Sequence, residues 1–309
     1  MSLPGARPEG RLGGMDTPTV RPAGTRTPDP TLFYRSGATT FFAAQCDQRF
    51  SYTLYVPAAH RDPGRPLPLV VIVHGTGRGA EGYRDAFAEF AERHGCVVLC
   101  PLFPAGIVDP EDLHNFKFLA YRDIRYDLVL LDIVAEVAGR YRVDADRFLL
   151  HGFSGGGQFT HRFLYLHPER LAAASIGAPG RITLLDPERR WWLGTGDIRA
   201  HFGRDIDLDA VRRVPVQLVV GDADTETWEI NNKGDSNWMD GADATGRTRI
   251  ERLRALHRNF AEHGIDARFD LLPGVGHSGK AARPAVQDFF ASVLSASVLD
   301  ASVADGAQD

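Results

Sequence analysis

Long apolar runs are missing from this chain. The longest fall far short of the ~18–20 residues that span a bilayer, so no transmembrane helix is expected. An excess of positive charge is missing too. Thirty-five Lys and Arg face 40 Asp and Glu, a net charge of −5. That balance excludes the basic footprint of a nucleic-acid binder or of a protein drawn to anionic membranes. Lysine itself is scarce: Lys117, Lys233 and Lys280 are the whole set. Cysteine is scarce as well. Cys46, Cys96 and Cys100 have neither metal-ligand nor redox spacing. In one strand, Cys96 and Cys100 stand about 13 Å apart at ~3.3 Å per residue, too far to bond to each other. The chain does not read as a disulfide scaffold, and a reducing compartment suits it.

What is present fits one large α/β domain or two small ones. A chain of 309 residues buries a substantial core without metal or disulfide staples. Residues 1–30 hold six Pro, five Gly and almost no large apolar side chain. Such a stretch cannot offset its ordering entropy. It also lacks the apolar run of a secretory signal, so a disordered leader, no export and a cytoplasmic location are expected. The folded body is expected over 31–295, and the Ala-, Ser- and Asp-rich end, 296–309, is expected to fray.

The body alternates strand-like and helix-like segments. Strands are expected at Phe50–Val56, Leu69–His74, Cys96–Cys100 (ended by Pro101), Arg147–His151, Leu171–Ile176, Val216–Val220 and Ala267–Leu272. The continuous β-branched run at Leu69–His74 reads as a strand covered on both faces. Helices are expected at Tyr83–His94 (stopped by Gly95), Ile124–Tyr141, Phe159–Leu166, Ile250–His263 and Ala285–Leu294. This alternation predicts a mostly parallel sheet with helices on both faces. Ligands bind such sheets beyond the carboxyl ends of the strands.

The chemistry sits at those ends. Gly152-Phe153-Ser154-Gly155-Gly156 falls where a strand meets a helix. A serine on so sharp a turn needs small neighbours, and its hydroxyl is exposed at the top of the sheet beside a helix N-terminus. A phosphate loop is excluded, because no Lys-Ser/Thr follows and the spacing does not fit G-x-G-x-x-G. His74-Gly75-Thr76-Gly77 follows the Leu69–His74 strand. There the Thr76 N–H can join the Gly155 N–H as a two-donor oxyanion hole, each donor worth about 10²–10³ in rate. Gly221-Asp222-Ala223-Asp224 and Gly274-Val275-Gly276-His277 follow two later strands. The chain order Ser154, Asp224, His277 is the order of an α/β-hydrolase triad. Asp222 competes with Asp224 for the acid's role. A calcium loop is excluded there, because Thr227 stands sixth and Lys233 twelfth. Of the 11 histidines, only His277 has flanking glycines, a preceding strand and this place in the order. His94, His257 and His263 read as solvated on helices. His74 and His151, which end strands, read as local packing or hydrogen-bonding residues.

With these motifs the sequence resembles the α/β-hydrolases over about Phe50 to Leu294. The segment from His151 to Gly180, HGFSGGGQFTHRFLYLHPERLAAASIGAPG, resembles the esterase branch that includes polyhydroxybutyrate-depolymerase-like and feruloyl-esterase-like proteins. The resemblance implies an α/β-hydrolase fold and an acyl-enzyme mechanism, with no metal or organic cofactor. It also favours Asp224, three residues after Gly221, as the acid. The implied activity is that of a serine esterase on a small-molecule ester. A peptidase or acyltransferase with the same triad, a lyase, or a non-catalytic binder on the same fold are the alternatives. Two stretches, about 179–214 and 225–248, interrupt the rhythm and leave from the carboxyl edge as cap-like insertions. Loops this long are usually functional or disordered. They hold Trp191, Trp192, Trp228 and Trp238, which argues against disorder. These tryptophans, with Phe153, are expected to wall an aromatic cleft for a small or medium ester.

Overall fold

The computed structural model describes residues 34–306 except 63, 229 and 236, with side chains described through 296. The expected leader lies outside the described residues. Strands β1 (Gly37–Ala38), β2 (Phe42–Ala43) and β3 (Ser51–Val56) open the fold. They are followed by β4 (Leu67–Val73), α1 (Ala80–Ala86), α2 (Ala88–His94) and β5 (Val97–Leu102). A small hairpin, β6 (Ala120–Tyr121) and β7 (Ile124–Arg125), precedes α3 (Tyr126–Arg140). Next come β8 (Val143–Phe153), α4 (Gly155–Leu166) and β9 (Leu171–Gly177). Short helices α5 (Ile198–Phe202) and α6 (Leu208–Arg212) lead to β10 (Val216–Gly221). The chain closes with α7 (Arg249–Glu262), β11 (Ala267–Leu272) and α8 (Gly279–Gly306).

The main sheet runs β1-β3-β5-β4-β8-β9-β10-β11, with β2 also on β3. From β5 to β11 every neighbouring pair is parallel; β1, β2 and β3 pair antiparallel. Side chains alternate faces along β8. Phe148 packs its ring 5.9 Å from Phe163 of α4. His151, on the opposite face, bonds Ser175, and Ser175 donates to Gln217, which donates to Ala285 O of α8. Helices therefore cover both faces, and the carboxyl halves of the central strands are buried and mostly apolar. Among the described residues no helix is long and apolar enough to cross a membrane.

Local differences from the sequence expectations have physical causes. Pro101 does not end β5; it pairs with Tyr52 of β3. The β4 pairing already stops at Leu99, so the missing N–H leaves no gap in that ladder. The expected Tyr83–His94 helix is two short helices, broken where the buried Phe87 turns into the core beside Phe90. Gly95 does stop α2, in the left-handed conformation at φ 58°. Helix α8 starts before Ala285, takes Pro284 into its second turn and continues to Gly306.

Candidate active site

Four loops meet at the carboxyl edge of the sheet, after β4, β8, β10 and β11. Ser154 is the hinge between β8 and α4, with φ 57° and ψ −112°. Positive φ is uncommon for a non-glycine residue and marks stored strain. The surrounding backbone is packed too tightly for side chains. A Cβ on Gly152 would sit 2.3 Å from Gly156 O, and one on Gly156 would sit 2.2 Å from Val73 O. These contacts press the start of α4 onto β4 and force the turn that carries the serine.

The loop after β4 lies against this turn. The Thr76 N is 3.2 Å from where a Gly155 Cβ would point, so the Thr76 amide lies close to Gly155. Neither donates to an acceptor among the described residues, as expected for Gly155 at the first position of α4. The loop is held from below. His74 is fully buried; its Nδ1–H donates to Gly75 O at 2.8 Å and its Nε2 accepts the Phe103 N–H at 2.9 Å. Burial pushes this imidazole down to about 3, so it is neutral and serves as a pin. The Arg78 guanidinium donates to Thr76 O and Phe103 O and lies over the Phe116 ring.

Asp224 and His277 meet across two loops. The His277 Nδ1–H donates to Asp224 Oδ2 at 2.6 Å, and Asp224 is completely buried. That bond leaves Nε2 as the basic nitrogen. Asp222 does something else: its exposed carboxylate accepts the Gly274 N–H at 2.7 Å. A Cβ on Gly221 would stand 1.9 Å from Val275 O, which explains why the two loops approach so closely. The Phe153 ring lies 5.0 Å from the His277 ring, which sets the imidazole beside the elbow. The Ser154 hydroxyl makes no hydrogen bond among the described residues. Without substrate such bonds are often long.

Two cations escape the sequence reading. Buried Arg249, on α7, donates to Asp224 Oδ1 at 3.4 Å and to the Glu226 and Trp228 carbonyls. It holds the loop of Asp224 in shape. Buried Lys117 lays its Cε 2.9 Å from the Gly155 Cβ direction and donates to His114 Nδ1 at 2.8 Å. Burial, then Lys117 and Arg181, push His114 down to about 3, which leaves it neutral to accept that bond. The scarcity of lysine was the available signal for Lys117; nothing in the sequence marked Arg249.

The tryptophans divide. Trp228 is 52% exposed and stands edge-on to His277 at 6.2 Å, with Arg249 beneath its ring. Trp191 and Trp192 line a separate cleft of about 440 Å³ with His114, Phe118 and Asn237. Trp192 is nearly buried and its Nε1–H donates to Asn237 O. Trp238 makes no ring contact with the other tryptophans or His277 among the described residues. The two insertions are tied to each other by buried Arg181, which donates to Ile230 O, Asn237 and Asp235. His94, His257 and His263, expected to be solvated, are half-buried, and the last two bond backbone carbonyls. No three His, Cys, Asp or Glu side chains are grouped for a metal ion among the described residues.

No protein-family model and no curated protein sequence matches the chain. Solved structures do. A poly(aspartic acid) hydrolase-1 from Sphingomonas sp. KT-1 superposes with TM-score 0.67 at 21% identity, over 82% of this chain and 98% of that one. A poly(3-hydroxybutyrate) depolymerase from Bordetella parapertussis gives 0.66 at 23%, over 82% and 90%. The chain has the α/β-hydrolase fold. An S-formylglutathione hydrolase from Agrobacterium tumefaciens shares it at TM-score 0.58 and 18% identity, over 84% and 95%.

Proposed function

We propose that this chain is a serine hydrolase that cleaves a carboxylic ester of small or medium size through Ser154, His277 and Asp224. One observation carries the reading: a fully buried carboxylate bonds the imidazole at 2.6 Å beside a serine held at positive φ. Ser154 is a weak nucleophile at its own pKa and needs the base. His277 Nε2 takes the hydroxyl proton as Ser154 Oγ attacks the acyl carbon. Asp224 keeps the tautomer and stabilises the imidazolium. The Thr76 and Gly155 N–H groups receive the oxyanion. The proton passes from His277 to the leaving alcohol, and water repeats the cycle to release the acid. The structural neighbours, a poly(aspartic acid) hydrolase and a poly(3-hydroxybutyrate) depolymerase among them, support hydrolysis over the other activities of the fold.

The test is labelling with a fluorophosphonate followed by turnover of p-nitrophenyl esters. The wild type is expected to label and to hydrolyse the esters. Ser154→Ala is expected to do neither while keeping its thermal midpoint. Equal labelling of both proteins overturns the reading.

A further inference from the structure

A second cavity lies beside Gly279, two residues after His277. Its volume is about 400 Å³ and no triad residue lines it. Helix α1 and the first turn of α8 form its walls. Gly279 connects it to the catalytic turn: a Cβ there would meet the Tyr83 hydroxyl at 3.0 Å and the Phe153 ring at 3.2 Å.

The polar groups facing this space are specific. His151 is 98% buried, at 2% exposure, and lines the cavity. Its Nδ1 is 3.0 Å from Ser175 O. A carbonyl only accepts, so Nδ1 carries the hydrogen and Nε2 is a bare lone pair. No described residue donates to that Nε2. Burial pushes the imidazole down to about 4 and the Tyr83 phenol up to about 12, so both are neutral at pH 7. The Tyr83 hydroxyl is the second neutral hydrogen-bonding group on the wall. At the mouth stand Lys280 and Arg283, which make no ion pair among the described residues. The nearby acids are otherwise engaged, Asp85 with Arg84 and Glu89 with Arg93. Phe87 and Ala86 supply apolar surface.

We infer that this cavity is a second ligand site, for a small hydroxylated carboxylic acid: an O–H for His151 Nε2, an apolar body for Phe87, and a carboxylate for Lys280 and Arg283. An acceptor on the cavity wall with no protein donor takes its hydrogen bond from water or from an O–H of the ligand. Two cations with no partner at the mouth select an anion. A short aromatic or aliphatic hydroxy acid joins the two ends.

4-Hydroxybenzoate is the probe, followed by titration calorimetry on the full chain. Four proteins are compared: wild type, Tyr83→Phe, Arg283→Gln and Gly82→Leu. Gly82 lines the cavity on α1 and has open space where a side chain would point. Leucine there adds bulk beside the cavity and favours the helix, so its thermal midpoint should not fall. Wild type is expected to bind one equivalent, and to bind it equally after a fluorophosphonate has capped Ser154. Tyr83→Phe and Arg283→Gln are each expected to weaken binding about tenfold, and Gly82→Leu to abolish it. Absence of binding to wild type, affinity unchanged in all three variants, or loss of binding on capping overturns the site. The three variants report on the cavity whether or not Ser154 is the nucleophile, so failure of the hydrolase reading would be seen separately, as absence of labelling.

Discussion

Asp224 and His277 stand 53 residues apart in the chain and 2.6 Å apart in space. Two residues before Asp224, Asp222 spends its carboxylate on the Gly274 amide of the same facing loop. Two aspartates on one loop thus hold its partner at two points, one at the backbone and one at the imidazole. The buried point is the one able to orient a base. Asp224→Asn is expected to lower turnover about 10⁴-fold, because an amide favours the wrong imidazole tautomer. Asp222→Asn should cost less than tenfold, with any loss appearing as lower thermal stability. Steady-state kinetics of both variants on p-nitrophenyl acetate decide it. A larger loss at position 222 would reverse the assignment.

Arg249 holds Asp224, the proposed acid, in place. Its guanidinium spans Asp224, the Glu226 carbonyl and the Trp228 carbonyl. Arg249→Gln is expected to lower kcat roughly tenfold to a hundredfold, well short of the Asp224 loss, since His277 keeps its partner. Lysine should restore part of the rate and less of the loop order, because it lacks the guanidinium fork. The measurement is kcat for both variants with the Trp228 fluorescence maximum as a report on the loop. A lysine variant as impaired as the glutamine one would show that charge contributes nothing there.

The elbow makes a prediction about folding. Gly156→Ala forces a Cβ to 2.2 Å from Val73 O, and that neighbour is backbone in the central strand. Destabilisation of at least about 3 kcal/mol, or failure to fold, is expected. Gly79→Ala is the control, because its Cβ meets nothing within 4 Å. Urea midpoints of the two variants test this; equal midpoints would contradict the packing described for β4 and α4.

This contrast shows what the sequence made legible and what it hid. The glycines around Ser154, the strand runs and the loop order are local signals, and each can be read from residues within about ten positions. That was enough to place the elbow, the Thr76 loop and the His277 loop at one sheet edge. Arg249 and Lys117 act through contacts whose partners are 25 residues and 38 residues away (Gly155 and Lys117), and an arginine on an amphipathic helix carries no mark of burial. The break at Phe87 and the passage of β5 through Pro101 were equally hidden, because each depends on which neighbouring strand or core ring happens to be present. The tryptophans were legible as ordered residues, but their division between the triad rim and a separate cleft was not.

Buried neutral histidines predict an acid-sensitive fold. His74 and His151 are held at about 3 and 4, below their ordinary 6.5, by burial. Each is neutral in the folded state and takes a proton on unfolding below about pH 6.5. The unfolded state then binds more protons, so stability falls as pH falls. The window runs from about 6.5 down to about 4 for His151 and about 3 for His74, at up to roughly 1.4 kcal/mol per pH unit for each. Urea midpoints measured from pH 7 to pH 4.5 should fall steadily, and more steeply than in His151→Gln. Parallel curves for the two proteins would remove His151 from this account.

The last prediction concerns the substrate and the division of the tryptophans. Trp228 is half exposed at the triad rim, whereas Trp192 is nearly buried with Phe118, Leu193 and Ala242. Truncating an exposed rim aromatic costs little packing; truncating a buried one costs about 3–5 kcal/mol. Trp228→Ala is therefore expected to raise KM several-fold with little change in melting temperature. Trp192→Ala should chiefly lower the melting temperature, and Trp191→Ala, half-buried against Phe202, should fall between the two. With rim and cleft both walled by aromatics and no extended apolar helix among the described residues of either insertion, catalytic efficiency should peak at short acyl chains and fall by the octanoyl ester. A series of p-nitrophenyl esters from acetate to laurate, run with and without an oil–water interface, provides the measurement. Rising efficiency toward laurate with interfacial activation would mean that a long apolar groove, rather than this rim, receives the acyl chain.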